Sequence, residues 1–482
     1  MRKHAKRMRV TALLKRLTLP LAGLWGRMRS VVAIDRFRSQ WHRLTDLQRL
    51  FLGNIIVAVM VASAIAVFHQ NQWLLRLENS AMDLMMEFNK GLPRMSDTGA
   101  VNPLRFAYLD IDEPTFRSWH EPYHVPRREL KKLIEYAANS KAKLIVVDID
   151  LSRPGTSPEN DQELANYLSQ YGSMAPQPPI ILVRNFYNGA DEQRDWLDVR
   201  PSFLDDYELS ANIHWSQPLF RATLWDGVVR YWHLVKPGCL GGQMVLLPSV
   251  QLTAAGILSE PGDTRAARSA NPGPVVFAEC GLAAESGEQA AADHPWRANA
   301  AGVAAAIDQR IIYTMPWTSP SPDLITVSAR TITGSSGLLS PDIAAGRVVI
   351  IGASYAESRD IHRTPIGMMP GALIIANAIK SLALFGQISL PPAWLQWALK
   401  LVVIVFAAWT FLAFRSLLAV GVAGGVIIFV LVPVSFHFFK YGLWIDFALP
   451  LFAMLMHRAF AEYRGAQREA RDIGRRYRGK ET

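Results

Sequence analysis

Cysteine is scarce in this chain, and the signatures of several common catalytic sites are missing. Only two cysteines occur among 482 residues, too few for the Cys-x-x-Cys pairs of a structural zinc site or for a densely cross-linked secreted scaffold. The chain also has no Gly-x-Ser-x-Gly nucleophile elbow and no Gly-rich phosphate loop ending in Lys-Ser or Lys-Thr. We therefore expect a protein that is not an enzyme and that carries no cofactor.

Long apolar runs are present at both ends of the chain. One covers residues 50–69, and three more cover residues 394–414, 416–439 and 443–460. Each is long enough, at about 1.5 Å of helical rise per residue, to cross most or all of a hydrocarbon core of roughly 30 Å. We predict four transmembrane helices that flank one large polar segment, residues 70–393.

The charges at the two ends predict the orientation in the membrane. Residues 1–49 hold about 13 Lys and Arg against 2 acidic residues, and the tail after His457 holds about 8 against 4. Because basic flanks stay on the cytoplasmic side, the arm 1–49 and the tail 461–482 are predicted to be cytoplasmic. Residues 70–393 then form the periplasmic domain of a multi-pass protein of the bacterial inner membrane, with the lipid bilayer as a partner. The formal net charge of +10 arises at these flanks, which argues against a nucleic-acid partner.

Both cysteines, Cys239 and Cys280, fall in the predicted periplasmic segment, where oxidising conditions permit a disulfide. Closing a loop of about forty residues would stabilise the fold by about 3 to 4 kcal/mol in the chain-entropy description. The sequence does not show whether the two Cα atoms come close enough to be bridged. The pairing therefore stays open at this point.

The polar segment has the pattern of an α/β domain. Apolar runs predict strands, and a periodic segment that starts with proline predicts a helix between the first two of them, which makes a parallel βαβ unit. The predicted strands are Leu104–Ile111, Lys143–Ile149, Pro179–Val183 and Arg347–Ile351, and the predicted helices are Pro126–Ala138 and Gly371–Leu384. We expect a mixed or mainly parallel sheet flanked by helices, with an irregular stretch at Ser259–Ala306.

Acidic residues stand where the predicted strands end. Asp110 and Asp112 close the first strand, and Asp148 and Asp150 close the second. The carboxyl ends of parallel strands lie at one edge of a sheet, where open α/β folds usually bind ligands. We expect the carboxylates to gather there, with Arg127 at the start of the intervening helix neutralising part of their charge.

The segment after Arg347–Ile351 would bring Asp360 and His362 to the same edge. Three interpretations of this group stay open. Oxygen ligands from aspartates suit a hard divalent cation, and His362 would add a nitrogen. Aspartates at strand ends also commonly cap helices or accept backbone N–H groups. The third interpretation is a site for a small ligand.

Three runs, in this order and followed by three apolar stretches, resemble the CHASE type 2 domain, an extracellular sensory module associated with cyclases and histidine kinases. The runs are FAYLDIDEPTF, HEPYHVPRRELKKLIEYAANSKAKLIVVDIDLSRPG and GRVVIIGASYAESRDIHRTPIGMMPGALIIANAI. The resemblance extends over Leu74–Phe460 and implies an α/β periplasmic sensor. Candidate ligand-binding residues, with no metal assigned, are Asp110, Asp112, Arg127, Asp148, Asp150, Asp360, His362, Thr364 and Asn377.

Three features depart from the family pattern. Ile375 stands where a histidine usually precedes the Ala-Asn pair, and Tyr123-His124-Val125 replace a Trp-Pro turn. Only about twenty residues follow the last apolar run, so no kinase or cyclase output module is expected in them. The predicted function is a sensor that relays an unknown signal through its helices to a membrane or cytoplasmic signalling partner. The alternative is a structural or docking subunit of an envelope assembly, and self-association is compatible with both.

Overall fold

A computed structural model of the protein describes residues 44–67, 71–90, 104–173, 175–187, 196–259, 276–280, 309–334, 343–388, 391–414, 416–456, 459 and 463. The predicted basic arm and basic tail lie almost wholly outside these residues. The described residues fall into two compact units. The first lies within Met1–His69, Ala393–Leu431 and Ala448–Thr482, and the second lies within Gln70–Pro392 and Val432–Phe447.

The helices are, in chain order, α1 (Asp46–Val67), α2 (Gln72–Asn89), α3 (Glu113–Ser118), α4 (Arg127–Asn139), α5 (Pro158–Ser169), α6 (Val250–Leu258), α7 (Arg330–Thr333), α8 (Gly371–Phe385), α9 (Ala393–Ala413), α10 (Ser416–Val426) and α11 (Val432–Phe439). The strands are β1 (Phe106–Ile111), β2 (Leu144–Val147), β3 (Ile180–Val183), β4 (Phe186–Tyr187), β5 (Leu197–Val199), β6 (Ile213–Ser216), β7 (Phe220–Ala222), β8 (Val229–Trp232), β9 (Val235–Leu240), β10 (Gln243–Pro248), β11 (Val276–Glu279), β12 (Leu324–Ser328), β13 (Val348–Ala353), β14 (Ile361–Thr364) and β15 (Gly367–Pro370).

One helix among the described residues, Gly421–Phe439, is both long and apolar enough to cross a membrane, and the apolar stretches Phe51–Val61 and Trp394–Thr410 are shorter. The helical run from α10 to α11 passes through a π-helical turn at Ile427–Leu431. Pro433 follows that turn, and proline displaces the carbonyl four residues before it, which accounts for the wider turn. The number of membrane spans stays a prediction.

A six-stranded sheet forms the centre of the second unit. Its order is β12-β1-β13-β2-β3-β6, and every neighbouring pair is parallel. All residues of β1, β2, β3 and β13 are buried, as expected for parallel strands covered on both faces. The predicted α/β domain with a mainly parallel sheet flanked by helices is therefore confirmed.

The two faces of this sheet are covered by different helices. Leu130 of α4 and Leu164 of α5 pack with Leu109 and Val147 in one apolar core. On the opposite face α8 lies against β13, and α6 packs against α8. The strand ends differ from the sequence prediction by one or two residues. The edge strands β6 and β12 were not predicted, because each mixes apolar and polar residues.

A second sheet, in the order β11-β10-β9-β5-β4, contains Cys239 and is followed by Cys280 at the end of β11. Strand β11 lies inside Ser259–Ala306, so the prediction of an irregular segment is wrong at these four residues. Cys239 lies in β9, and Cys280 follows β11, on either side of β10. The structure joins them in a disulfide with a Cα–Cα distance of 5.9 Å.

Loss of this disulfide should destabilise the protein. The double substitution of Cys239→Ser and Cys280→Ser opens a loop with a sequence separation of 41, and the chain-entropy description then gives a loss of about 4 kcal/mol in the free energy of unfolding. Urea unfolding of full-length protein in detergent, with and without reductant, measures this loss. The native protein under reductant should match the double variant, and equal stability of oxidised native protein and variant would contradict the expectation.

Candidate functional site

The C-terminal ends of β1, β2 and β13 meet at one edge of the central sheet. Tyr108 and Asp110 are two residues apart in β1, so both side chains lie on one face. This is the face that α8 covers. A Cβ atom on Gly352 of β13 would lie 2.4 Å from the Cβ of Ala372 in α8, so glycine at this position permits the close approach of α8 to the sheet.

Asp360 connects this edge to the N-terminus of α8. Its Oδ2 accepts the backbone N–H of Gly371 at 3.0 Å, and its Oδ1 lies 3.0 Å from Nε2 of His362. A Cβ atom on Gly371 would lie only 2.5 Å from the Asp360 carboxylate. The bond to Asp360 raises the pKa of His362, with burial opposing it. Asp360 therefore joins the β14–β15 hairpin to the first turn of α8.

Tyr108, Asp110, Asp148, Asp360 and His362 are called the carboxylate cluster below. Burial raises the pKa of Asp110 to about 6, and the nearby hydroxyls of Ser354 and Tyr108 act in the opposite direction. Burial and the negative charge of Asp360 raise the pKa of Asp148 well above its usual range. Burial, followed by Asp110, Asp148 and Asp360, likewise raises the pKa of Tyr108. The environment of the cluster thus favours the protonated forms of Tyr108, Asp110 and Asp148 over their negatively charged forms.

Two buried polar atoms of the cluster have no hydrogen-bond partner of good geometry among the described residues. They are the hydroxyl of Tyr108 and Oδ1 of Asp110, and both side chains are 5% exposed or less. Ser354 and Tyr108 are close enough to Asp110 to lower its pKa. A proton shared between these oxygens would satisfy them.

Asp112 and Asp150 lie near the same edge but have structural partners. Asp112 is the N-cap of α3, where its Oδ1 accepts the N–H of Thr115 at 3.0 Å and the hydroxyl of Ser328 at 2.9 Å. Asp150 accepts the N–H of Ser152 at 2.9 Å in a tight turn. The structure therefore does not gather all four strand-end carboxylates at one point.

Arg127 also lies apart from the carboxylate cluster. Its guanidinium donates to the carbonyls of Asp150 and Arg153 at 3.3 and 2.8 Å, and its Nε lies 3.6 Å from Asp161. The side chain is almost fully buried, and burial lowers its pKa. It fixes the loop after β2 and does not neutralise the cluster.

Thr364 and Asn377 have partners of their own. The Thr364 hydroxyl donates to the Gly367 carbonyl at 2.6 Å and closes the β14–β15 turn. Asn377 of α8 accepts the N–H groups of Thr314 and Met315, each at 2.9 Å, and its own amide donates to the Met315 carbonyl at 3.0 Å. Asn377 thus holds the segment at Thr314 and Met315 against α8, whereas Thr364 stabilises only its own hairpin turn.

Tyr108 and Ser354 were missed by the sequence analysis. The two-residue spacing from Asp110 could have identified Tyr108, because alternate residues of a strand share a face. Ser354 comes directly after the Gly-Ala end of β13, two residues beyond Gly352, which is the residue paired with Asp110. No spacing rule predicts that proximity, since the two residues are far apart in the chain.

The run His120-Glu121-Pro122-Tyr123-His124 spells the H-E-x-x-H pattern of zinc peptidases, which requires a helix to place both histidines on one face. Here α3 ends at Ser118, and His120 and Glu121 have φ angles of 67° and 53°. Within the described parts of the chain, no three His, Cys, Asp or Glu side chains are arranged to hold a metal ion. This run therefore does not have the geometry of that zinc site.

Asp110→Asn should make the protein less sensitive to pH. The folded state favours the protonated form of the Asp110 carboxyl. The contribution of this group to the free energy of unfolding is therefore complete below pH ~4 and is lost as the pH rises through about 6. At pH 7.5 the free energy of unfolding of the variant should exceed that of the native protein by up to about 3 kcal/mol. Near pH 4 the two free energies of unfolding should be equal.

Urea unfolding at both pH values measures this difference, with Asp206→Asn, an exposed residue, as the control that should change little. A variant equally or less stable than the native protein at pH 7.5 would refute the assigned environment of Asp110.

The comparisons with known proteins agree with this architecture. A family model of the CHASE2 domain matches residues 56–416, more than half of the chain, and this range contains the whole carboxylate cluster. No curated protein and no solved structure matches the chain. The resemblance recognised in the sequence is confirmed, and the chain belongs to the CHASE2 domain family.

Proposed function

We propose that this protein is a multi-pass inner-membrane sensor whose CHASE2 domain lies in the periplasm. The domain receives a signal at the carboxylate cluster and relays it through the apolar helices to a membrane or cytoplasmic signalling partner. The family supports a sensory role outside the cytoplasm. The basic arm and tail support cytoplasmic termini, because Lys and Arg flank membrane helices on that side.

The observation that carries this proposal is the position of α8. Its first residue, Gly371, is bonded to Asp360 of the carboxylate cluster. Its last residue, Phe385, is followed by the apolar helix α9 after residues 386–392 alone. A helix is a rigid element, so a displacement at its N-terminus also moves its C-terminus. Protonation of the cluster is thus connected by one helix to the start of α9.

A second connection runs through α2. Only residues 68–71 separate α2 from the apolar helix α1. Asp83 of α2 accepts hydrogen bonds from Arg230 at 2.7 Å and from Arg310, and these two arginines are 6% and 1% exposed. Removing one partner of such a buried ionic group costs about 3 to 5 kcal/mol. This Asp83–Arg230–Arg310 group fixes α2 to the domain that contains the central sheet.

Labelling of single added cysteines tests the proposed orientation. Tyr123→Cys places a thiol at a side chain that is 83% exposed in the external domain, and Ser30→Cys places one in the basic arm. A membrane-impermeant maleimide added to intact spheroplasts should label position 123 at once and position 30 only after lysis. Labelling in the reverse order would overturn the proposed topology.

Hydrogen exchange tests the proposed relay. Full-length protein in lipid nanodiscs is compared at pH 7.5 and 5.5, after correction for the intrinsic pH dependence of exchange. Because protonation of the carboxylate cluster should shift α8, we expect altered exchange in peptides covering residues 64–75 and 384–396. Asp110→Asn, which is neutral at both pH values, should reduce both changes.

Asp83→Asn separates the two connections in the same experiment. It should abolish the change in residues 64–75 and preserve that in residues 384–396, because α2 alone loses its ionic anchor. Glu87→Gln, at an exposed position of the same helix, is the matched control. Exchange that changes only within residues 104–370 would contradict the relay and favour a docking subunit.

A further inference from the structure

The β7–β8 hairpin ends in an exposed apolar tip. Leu224 has a relative exposure of 103%, and Trp225 beside it is partly exposed. The turn is nevertheless held in place, because the N–H of Thr223 donates to the carbonyl of Val228 at 2.9 Å and the N–H of Val228 donates to the carboxylate of Asp226 at 3.1 Å. The tip is therefore a fixed projection whose leucine contributes nothing to the core of the domain.

This hairpin is attached to α2 near the start of that helix. The hydroxyl of Tyr231 in β8 donates to the side chain of Asn79 at 2.7 Å, and the guanidinium carbon of Arg76 lies 5.5 Å from the centre of the Trp225 ring. Residues 68–71 alone separate α2 from the apolar helix α1. The tip thus lies beside the end of α2 that follows α1 in the chain.

The end of the candidate membrane helix Gly421–Phe439 approaches the same part of α2. Trp444 follows this helix closely and is 1% exposed, and it belongs to the same compact unit as α2. Burial raises the pKa of Glu78, and the charge of Arg310 and the indole of Trp444 act in the opposite direction. Trp444 therefore lies next to Glu78, which is two residues from Arg76 in α2.

The side chains around the tip have the composition of a lipid-facing surface. They are apolar or basic, they lie on the hairpin or on the first two turns of α2, and they are called the tip surface below: Trp73, Arg76, Arg221, Leu224 and Trp225. Indole rings favour the boundary between lipid headgroups and acyl chains, and guanidinium groups are attracted to anionic headgroups. Asp226 does not oppose this attraction, because Arg230 pairs with it at 2.7 Å.

The exposure and charge of the tip surface favour lipid over a second copy of the chain. Trp73 is 46% exposed and lies three residues before Arg76, on the same face of α2. Arg76 and Arg221 are both exposed. A two-fold contact would place this surface against itself and bring the arginines of the two copies together, which is unfavourable.

We propose that the tip surface contacts the lipid bilayer, with Leu224 and Trp225 at the boundary between headgroups and acyl chains and with Arg76 and Arg221 at anionic headgroups. The inference rests on the membrane crossing by Gly421–Phe439 that is part of the proposed function. It requires neither the relay nor a particular side of the membrane. The hairpin then attaches the domain to the bilayer at a point that is not a chain connection.

Fluorescence of the environment-sensitive dye NBD on single cysteines tests this contact. The two native cysteines form a disulfide, so Leu224→Cys supplies a free thiol for the dye. Full-length protein is placed in nanodiscs of phosphatidylcholine and phosphatidylglycerol, with or without lipid that carries a nitroxide near the headgroup. The label at position 224 should emit at shorter wavelength than a label at Tyr123→Cys, which is 83% exposed in the same domain. Nitroxide lipid should quench position 224 and leave position 123 unchanged.

Two further variants test the basic part of the tip surface. Arg76→Gln in the Leu224→Cys protein should lower the ratio of lipid-bound to free label by roughly fivefold, because one basic residue near an anionic surface contributes about that factor. Arg117→Gln, at a side chain that is 68% exposed elsewhere in the domain, should leave the ratio unchanged. An equal ratio in all three proteins would refute the role assigned to Arg76.

A label at Phe429→Cys, a position that is 80% exposed on the candidate membrane helix, separates the two proposals. It should be quenched by a nitroxide placed deep in the acyl chains. If position 429 is quenched and position 224 behaves like position 123, the lipid contact is overturned and the membrane crossing stands. A shifted but unquenched label at position 224 also overturns the lipid contact, because protein then covers the tip. Absence of quenching at position 429 would overturn the crossing and the lipid contact together.

Discussion

Burial of the central sheet on both faces is the constraint on which the remaining structure depends. Side chains from β1, β2, β3 and β13 are covered by helices above and below, so polar groups that must stay functional are restricted to the strand ends. Asp110 and Asp148 lie at this edge because their strands end there. Their raised pKa values follow from the same burial, which removes water from carboxyl groups that have few cationic neighbours to replace it.

The edge has two chemically different parts. Next to β1 and β13, aspartates and a tyrosine hydroxyl favour bound protons. Next to β3 and β6, Arg184 and Arg200 stack on aromatic rings, and Arg184 is paired with Asp205. Of the two, the carboxylate cluster is hydrogen-bonded directly to the first residue of α8, and α9 follows α8 in the chain.

Much of the core could be predicted from sequence, because apolar runs mark strands that are buried on both faces. The predicted strands and the helix Pro126–Ala138 reappear within one or two residues. The fine structure of the site could not be predicted in this way. Asp112 becomes a helix cap because β1 ends one residue earlier. The bonds from Asp360 to Gly371 and from Asp83 to Arg230 and Arg310 join residues distant in the chain or in separate elements, and no periodicity encodes such contacts.

The attachment of α2 also determines where the folding domain begins. Helix α2 precedes the first strand of the sheet, yet its Leu74, Met82, Met85 and Met86 are buried in the unit that contains the sheet. A graft of this lobe onto a foreign anchor that started at Phe106 would lack Asp83, so Arg310 would lose its carboxylate partner and Arg230 would retain only Asp226. Exchange of such lobes between CHASE2 proteins therefore has to include the helix Gln72–Asn89, and the natural junction for recombination lies just after the first apolar helix.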